Sequence, residues 1–195
     1  MPDDQEPADI AEDMMGILPS AWETERLIVT DSRLEEVARL RDVFNACAYV
    51  GQWDPTFYVV GTEEITELVA MSLAAEEKTM PHFRMQSVHL KAAEGLIGYF
   101  HLTQGEPEAD LIWLSMFVIH PDYQARQYGA EVIAGLKHRL SRLNGYRAVR
   151  LEIYLKNWPA LRFWLGQGFS KIVGYEGDKI HAAETQASLV LEWVL

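Results

Sequence analysis

The sequence contains a single cysteine, Cys47, and this scarcity excludes two kinds of stabilising site. One thiol cannot form an internal disulfide, and it cannot supply the ligand cluster of a structural zinc site. We therefore expect no metal, and the lack of disulfides favours a cytoplasmic location. Cys47 follows Phe44 on an apolar helical stretch, which favours packing in the core.

Long apolar runs are also missing, and so is positive charge near the N-terminus. No stretch approaches the ~18 consecutive apolar residues of a membrane-spanning helix. The first 13 residues are acidic, whereas a secretory signal needs basic residues. The formal net charge of −12 argues against nucleic-acid binding, which requires a basic surface. We expect neither a membrane nor a nucleic acid as a partner.

What remains is the composition of an ordinary globular protein, with 49% hydrophobic and 24% charged residues among 195. Residues 1–18 form a predicted acidic arm, and residues 19–195 a single predicted domain. The hydrophobic periodicity and the turn residues of this domain predict the order β-α-α-β-β-β-α-β-α-β-β.

Several boundaries follow from local signals. Asp31 or Ser32 is expected to cap the first helix, and Thr62 the second. The third helix is predicted over residues 128–143. The apolar final strand, residues 188–195, could pair with a neighbouring copy, so a homodimer is possible.

The most informative segment lies where a predicted strand, residues 111–119, leads into the third helix. A strand followed by a small-residue loop and a helix N-terminus is suited to bind phosphate. The free N–H groups of the first turn and the positive end of the helix dipole both point at the anion. Here the loop reads Gln124-Ala125-Arg126-Gln127-Tyr128-Gly129-Ala130.

Two motifs in this order resemble those of the GCN5-related N-acetyltransferase (GNAT) superfamily, over roughly residues 23–195. The family's acetyl-CoA loop, Gln/Arg-x-x-Gly-x-Gly/Ala, is matched by residues 124–129. Its pattern Asn-x-x-Ala-x-x-Phe-Tyr-x-x-x-Gly-Phe is matched by residues 157–169. The resemblance implies a single α+β domain, with a mixed, mostly antiparallel central sheet of about seven strands flanked by about four helices.

The resemblance further implies transfer of an acetyl group from acetyl-CoA to a primary amine of a small molecule or peptide. The residues that map onto its cofactor site are Val118, Ile119, Gln124, Ala125, Arg126, Gln127, Tyr128, Gly129, Ala130, Asn157, Phe163 and Trp164. Backbone N–H groups of the loop would bind the pyrophosphate, with a charge-assisted contact from Arg126. Simpler roles stay open, namely a solvated Arg126, a helix-capping Asn157 and a core Phe163.

Two residues depart from the family pattern. Gln127 replaces the first glycine of the loop, and we expect it to adopt helical φ and ψ with its side chain turned away from the phosphates. Trp164 stands where many members have a tyrosine proposed to protonate the leaving thiolate. An indole N–H cannot release its proton at useful pH, so Trp164 is expected to form a wall of the thiol site.

A base is needed as well, because a primary amine with a pKa of about 10.4 is protonated at neutral pH. Glu152 lies twelve residues before Trp164, the spacing at which some family members place a proposed catalytic glutamate. An ordinary strand glutamate is the alternative. Other candidate bases are Tyr128, Tyr154 and His101, whereas His120 is expected to be structural.

The acceptor side is less defined by sequence. The aromatic residues Trp53, Phe57 and Tyr58 could line an acceptor pocket or fill the core, and Ser115 and Tyr99 could face the substrate. Because the only thiol is distant from both motifs in sequence, direct transfer in a ternary complex is favoured over a covalent enzyme intermediate. The alternative is a non-catalytic acyl-CoA-binding or protein-interaction module.

Overall fold

In a computed structural model, residues 16–75, 80–93 and 95–195 are described. Their helices and strands are β1 (Ala21–Glu23), β2 (Leu27–Asp31), α1 (Val37–Ala46), α2 (Thr62–Ala74), β3 (His82–Leu90), β4 (Leu96–Gln104), β5 (Leu111–Ile119), α3 (Tyr128–Leu140), β6 (Ala148–Tyr154), α4 (Trp158–Gly166), β7 (Lys171–Gly177) and β8 (Ala187–Val194). No helix within these ranges is both long and apolar enough to cross a membrane.

The predicted acidic arm lies mostly outside the described residues, which include only its last three positions. Leu18 is fully buried, and its N–H donates to Oε1 of Gln104 at 3.0 Å. Nε2 of Gln104 in turn donates to the carbonyl of Gly16 at 2.9 Å. The chain therefore enters the domain along β4.

The strands form one sheet in the order β1-β2-β3-β4-β5-β6-β8-β7, and every pairing except β5 with β6 is antiparallel. The predicted α+β class, with its mixed and mostly antiparallel sheet, is confirmed. The parallel pair is short, and joins only Leu111 to Ala148, Ile112 to Val149 and Trp113 to Arg150. Beyond these residues β5 and β6 diverge, and the sheet opens.

A β-bulge lies in β5 at the point where the sheet opens. His101 of β4 pairs with Met116, whereas the next residue, Leu102, pairs with Leu114. Ser115 is therefore the extra residue, and its side chain is exposed. Such a bulge bends its strand and increases the local twist, which turns the end of β5 away from β6.

Helices cover both faces of the sheet because each has one apolar stripe. On α3 the buried residues Val132, Ile133, Leu136 and Leu140 recur at helical spacing and belong to the larger core. On the opposite face α1 and α2 pack with Tyr99 and Val118 in a second core. The sheet is thus a central layer between two apolar clusters.

The predicted helix caps are wrong in detail, because the expected side chains are used elsewhere. Asp31 ends β2 and accepts from Nε2 of Gln86 at 2.8 Å, and Oγ of Ser32 lies 2.9 Å from Oγ of Ser87. A 3₁₀ turn at residues 34–36 precedes α1 instead. Gly61, not Thr62, occupies the N-cap of α2, and α3 ends at Leu140 rather than at residue 143.

The final strand is not available to a second copy of the chain. β8 lies inside the sheet, with β6 hydrogen-bonded along one edge and β7 along the other. The expectation that residues 188–195 pair with a neighbour is therefore wrong. That pairing was the physical basis for a homodimer, and the structure removes it.

Candidate active site

The loop before α3 adopts a backbone conformation that concentrates N–H groups. Ala125 and Gln127 both have positive φ, 57° and 70°, and Gln127 is the N-cap of α3. The expectation of helical φ and ψ for Gln127 is wrong. A non-glycine residue in the left-handed region costs about 1–2 kcal/mol. Alternation of left-handed with other conformations forms a backbone concavity suited to anions.

The N–H groups of this loop are largely free for a ligand. The N–H of Gln124 donates to the carbonyl of Pro121 at 3.1 Å, and the first bond of α3 runs from Glu131 N–H to Gln127 O at 3.0 Å. Between them, the N–H groups of residues 125–130 have no acceptor in the described part of the chain. A bound anion would satisfy these orphan donors of the first turn.

The side chain of Gln124 fixes the loop to the end of β5. Its Nε2 donates to the carbonyl of Ile119 at 2.7 Å, and its Oε1 accepts from the hydroxyl of Tyr49 at 3.2 Å. The loop is therefore held against the strand by one amide group. This contact holds the N–H concavity next to the C-terminal end of β5.

A cavity of about 570 Å³ lies between the end of β5, the loop before α3, α4 and the segment after α1, and we call it the larger cavity. It contains every residue predicted for the cofactor site except Arg126 and Tyr128. The guanidinium of Arg126 lies 5.8 Å from the ring of Tyr123, and Tyr128 packs 4.4 Å below the guanidinium of Arg26. Further lining residues are Cys47, Tyr49, Val50, Trp53, Phe57, Phe117, Pro159, Ala160 and Gln167.

Gly129 keeps the larger cavity open at the start of α3. A Cβ on this residue would lie 3.4 Å from the ring of Phe163 and 3.6 Å from that of Phe117. Phe117 and Phe163 are themselves stacked, with centroids 6.0 Å apart. A side chain here would therefore enter the space between the helix N-terminus and the aromatic wall.

A second, smaller cavity of about 160 Å³ adjoins the first along β6. The two share five lining residues, namely Phe57, Phe117, Asn157, Ala160 and Trp164. The smaller cavity also contains two carboxylates, Asp54 and Glu152, together with Trp113, Ser115 and Tyr154. The shared residues form the boundary between the two cavities.

Glu152 is directed into the smaller cavity from β6. Its Oε1 accepts a short hydrogen bond from the hydroxyl of Ser188 on β8, the strand paired with β6 at this position. Burial and the negative charges of Glu152 and Asp54 raise the pKa of the Tyr154 phenol. Tyr154 therefore stays protonated at neutral pH and acts as a donor rather than as a base.

Asn157 joins the two cavities and has two roles. Its Oδ1 accepts from the N–H of Ala160 at 3.3 Å, so it caps α4. Its Nδ2 donates to Oδ2 of Asp54 at 3.3 Å. The capping role was the simpler alternative from the sequence, and the contact with Asp54 adds a second one.

The geometry matches what comparison with known proteins shows. The model of the acetyltransferase (GNAT) family matches residues 12–169 of this chain. The chain belongs to the GNAT family. Its co-substrate is acetyl-CoA, and the N–H concavity and the larger cavity fit a molecule with a pyrophosphate and a long, narrow arm.

Solved structures agree with this GNAT fold. An acetyltransferase from Thermus thermophilus is 20% identical, covers 88% of this chain and 100% of its own, and gives a TM-score of 0.62. A GNAT-family acetyltransferase from Bacillus anthracis is 18% identical, covers 89% and 98%, and gives 0.67. RimL, a ribosomal L7/L12 alpha-N-protein acetyltransferase solved with coenzyme A, is 13% identical, covers 92% and 98%, and gives 0.70. No curated protein sequence matches the chain.

The structure places the other residues that were candidates for a base or for a substrate contact outside the two cavities. His101 lines neither cavity, and burial lowers its pKa to about 4. Tyr99 is buried in the second core, and burial, followed by the nearby Cys47 thiol, raises its pKa. Tyr58 is 59% exposed and lines neither cavity, whereas His120 accepts from Asp122 N–H and so has a local structural role.

Cys47 lies closer to the GNAT site than its sequence position indicates. It is buried as predicted, yet it borders the larger cavity, and its Sγ donates to the carbonyl of Ile119 at 3.5 Å. Burial raises the pKa of this thiol to about 11, which makes it a poor nucleophile at neutral pH. The expected absence of a covalent intermediate thus gains a physical reason other than distance.

Sequence reasoning missed the importance of Asp54. It lies in the loop between α1 and α2, where an acidic residue next to proline is most simply interpreted as a turn residue. Asp54 is only 6% exposed. The available signal was the cluster of aromatic residues around it, Trp53 and Phe57, which is unusual for a solvated turn.

Proposed function

We propose that this GNAT protein transfers an acetyl group directly from acetyl-CoA to a primary amine within a ternary complex. The observation that carries the proposal is the junction of two cavities at Asn157 and Trp164. One cavity leads from the N–H concavity before α3, and the other contains a carboxylate able to accept a proton. A donor in the first and an acceptor in the second would meet without an enzyme-bound intermediate.

Acetyl-CoA supplies the acetyl group as a thioester. We propose that the N–H groups of residues 125–130 bind its pyrophosphate and that Phe163 and Trp164 flank its thiol end. Val118 and Ile119 of β5 would face its pantetheine arm. Arg126 is exposed and lies over the ring of Tyr123, and its guanidinium would add a charge-assisted contact to the phosphates.

Glu152 is proposed as the general base. The hydroxyl of Ser188 engages one oxygen of its carboxylate, which leaves the other to take a proton from the acceptor ammonium, directly or through water. The neutral nitrogen then bonds to the acetyl carbon as the carbon–sulfur bond breaks, and it releases its second proton to water to give the neutral amide. The thiolate takes a proton from water, because Trp164 has none to release and a thiol with a pKa of about 8.5 is an adequate leaving group.

Calorimetry with acetyl-CoA, followed by a thiol-release assay over a panel of primary amines, tests this proposal. We expect saturable binding, amine-dependent release of thiol, and a loss of about 10²–10⁴ in turnover for Glu152→Gln. Glu176→Gln on β7, an exposed position outside both cavities, is the matched control. Release at the wild-type rate in Glu152→Gln would show that Glu152 is not the base.

A non-catalytic acyl-CoA-binding or interaction module is the second candidate. Two observations favour it: Gln127 places a side chain where the family's loop has a glycine, and Trp164 has no acidic proton to release. Binding of acetyl-CoA without turnover on any amine would support this module and reject the enzyme. A cytoplasmic location, expected from the scarcity of cysteine, stays a prediction that cell fractionation would test.

A further inference from the structure

The smaller cavity contains two carboxylates and no opposite charge. Asp54 and Glu152 both border it, and neither forms an ion pair with any lysine, arginine or histidine in the described part of the chain. Elsewhere in the same chain, the buried Glu192 is paired with Arg150 and Lys171. Glu152 is exposed, so solvent screens its charge, but Asp54 is buried like Glu192 and has no counter-ion, which indicates that the charge of Asp54 is left for a ligand.

Neutral donors hold these carboxylates in place without neutralising them. Oδ1 of Asp54 accepts from both the N–H and the hydroxyl of Thr56, at 3.1 and 2.5 Å, and its Oδ2 accepts from Asn157. Glu152 is held by the hydroxyl of Ser188. Asp54 is only 6% exposed, so a charge on its carboxylate without a counter-ion is costly. A bound ammonium would remove that cost.

Much of the remaining lining is aromatic. Trp113, Phe117, Tyr154 and Trp164 border the smaller cavity together with Phe57, which is stacked on Phe44 at 5.4 Å. Aromatic faces bind cations and also the apolar part of an amine. At about 160 Å³, the cavity is smaller than the ~300–1,000 Å³ of sites for drug-sized ligands. It therefore suits a compact molecule.

We infer that the smaller cavity binds a compact primary ammonium with an apolar or aromatic body, and that it rejects amines carrying a carboxylate beside the nitrogen. This inference rests on the proposed function, since it assigns the acceptor class of the same site. An anionic group next to the amine would lie against Asp54 or Glu152 without any basic residue to receive it. Amino acids are therefore excluded, although each contains a primary amine.

Binding to the CoA-saturated protein tests the inference without requiring turnover. Calorimetry would compare phenethylamine, phenylalanine and phenylacetate, which share one aromatic ring and differ in charge. We expect phenethylamine to bind about tenfold or more tightly than phenylalanine, and phenylacetate not to bind. Equal or tighter binding of phenylalanine, or no binding of phenethylamine, would overturn the inference.

Two variants test whether the charge of Asp54 causes the preference for phenethylamine. Asp54→Asn should weaken phenethylamine binding by about tenfold or more and reduce its preference over phenylalanine. Asp42→Asn on α1 makes the same charge change at an exposed position outside both cavities, and should leave both affinities unchanged. If Asp54→Asn fails to fold, as judged by its thermal melt, the wild-type comparison of the three ligands still decides.

Failure of this inference is distinguishable from failure of the proposed function. Phenethylamine bound selectively but never acetylated would support the acceptor class and reject the acetyl transfer. The opposite result would be acetylation of phenylalanine with the same kcat/KM as phenethylamine. It would leave the enzyme intact and reject the charge selection assigned to Asp54 and Glu152.

Discussion

Asn157 and Asp54 lie 103 positions apart in sequence, and a hydrogen bond of 3.3 Å joins their side chains at the boundary of the two cavities. Because Asn157 also caps α4, the start of that helix is coupled to the loop between α1 and α2. Asp54 in turn orders its own loop through Thr56. One amide thus connects the helix that closes the larger cavity with the carboxylate of the smaller one.

Asn157→Asp should separate the two roles of this residue. Aspartate is as good an N-cap as asparagine, so the cap is retained, but a second carboxylate then faces the buried Asp54. We expect a loss of about 1–3 kcal/mol in the free energy of unfolding at pH 7. The loss should shrink as the pH falls towards 4, because one carboxyl of the pair takes up a proton.

Asn157→Ser is the matched control, since serine also caps but carries no charge and cannot span to Asp54. Urea unfolding at pH 7 and pH 4 measures both variants. A pH-independent loss in Asn157→Asp would mean that repulsion from Asp54 is not the cause.

Most of the element order and the strand, loop and helix at residues 111–140 could be predicted from the sequence because they depend on local signals, whereas the sheet architecture was expected only from the family resemblance. Hydrophobic periodicity and the residues of 124–130 specify a strand, a loop and a helix without any distant contact. The left-handed conformation of Gln127 was not predictable, because glutamine rarely adopts it and only the surrounding structure imposes it. The role of Asp54 could not be predicted because it depends on the long-range contact with Asn157. The interior position of β8 could not be predicted because it depends on the order of the strands in the sheet.

Glu192 should contribute stability that depends on pH. Burial acts to raise the pKa of this carboxyl, but hydrogen bonds and charges from Lys171 and Arg150 outweigh it, so the pKa is lowered. A lowered pKa in the folded state means that the stabilisation is complete above the unfolded value of about 4.3. It is lost as the pH falls through the folded value.

We therefore expect Glu192→Gln to lower the free energy of unfolding by about 1–3 kcal/mol at pH 7, and by less below pH 4. Chemical denaturation across this range provides the measurement. Asp42→Asn, which removes an exposed pair with Arg41, should cost only about 0–1 kcal/mol at either pH. A constant difference between wild type and Glu192→Gln from pH 7 to pH 3 would contradict the ion-pair explanation.

Cys47 should resist alkylation in the folded protein. Burial raises its pKa from 9.0 to about 11, so at pH 7.5 its thiolate fraction is about a hundredfold lower than that of an ordinary thiol. Mass spectrometry after iodoacetamide treatment measures the rate, and the single cysteine makes the product unambiguous. The same protein in denaturing urea is the control and should react at the rate of a free thiol.

During turnover with acetyl-CoA and an amine, no acetyl group should accumulate on Cys47. The thiol borders the larger cavity, so access alone would not prevent such an adduct. The adduct is prevented because the thiol is protonated at neutral pH. An acetylated Cys47 that forms and decays at the rate of turnover would refute direct transfer.

Gln127→Gly should strengthen cofactor binding. The cost of φ 70° at glutamine, about 1–2 kcal/mol, belongs to the folded loop whether or not CoA is bound, so glycine recovers it as stability of the fold and not as affinity. Affinity should rise because loss of the side chain lets a pyrophosphate approach the N–H groups of residues 125–130 more closely. Gln127→Ala removes the same amide but keeps Cβ, so it separates the two effects. We expect calorimetry with CoA to give about tenfold tighter binding for Gln127→Gly and a smaller gain for Gln127→Ala. Equal affinities in the two variants would show that the amide of Gln127, and not its Cβ, limits the approach of the pyrophosphate.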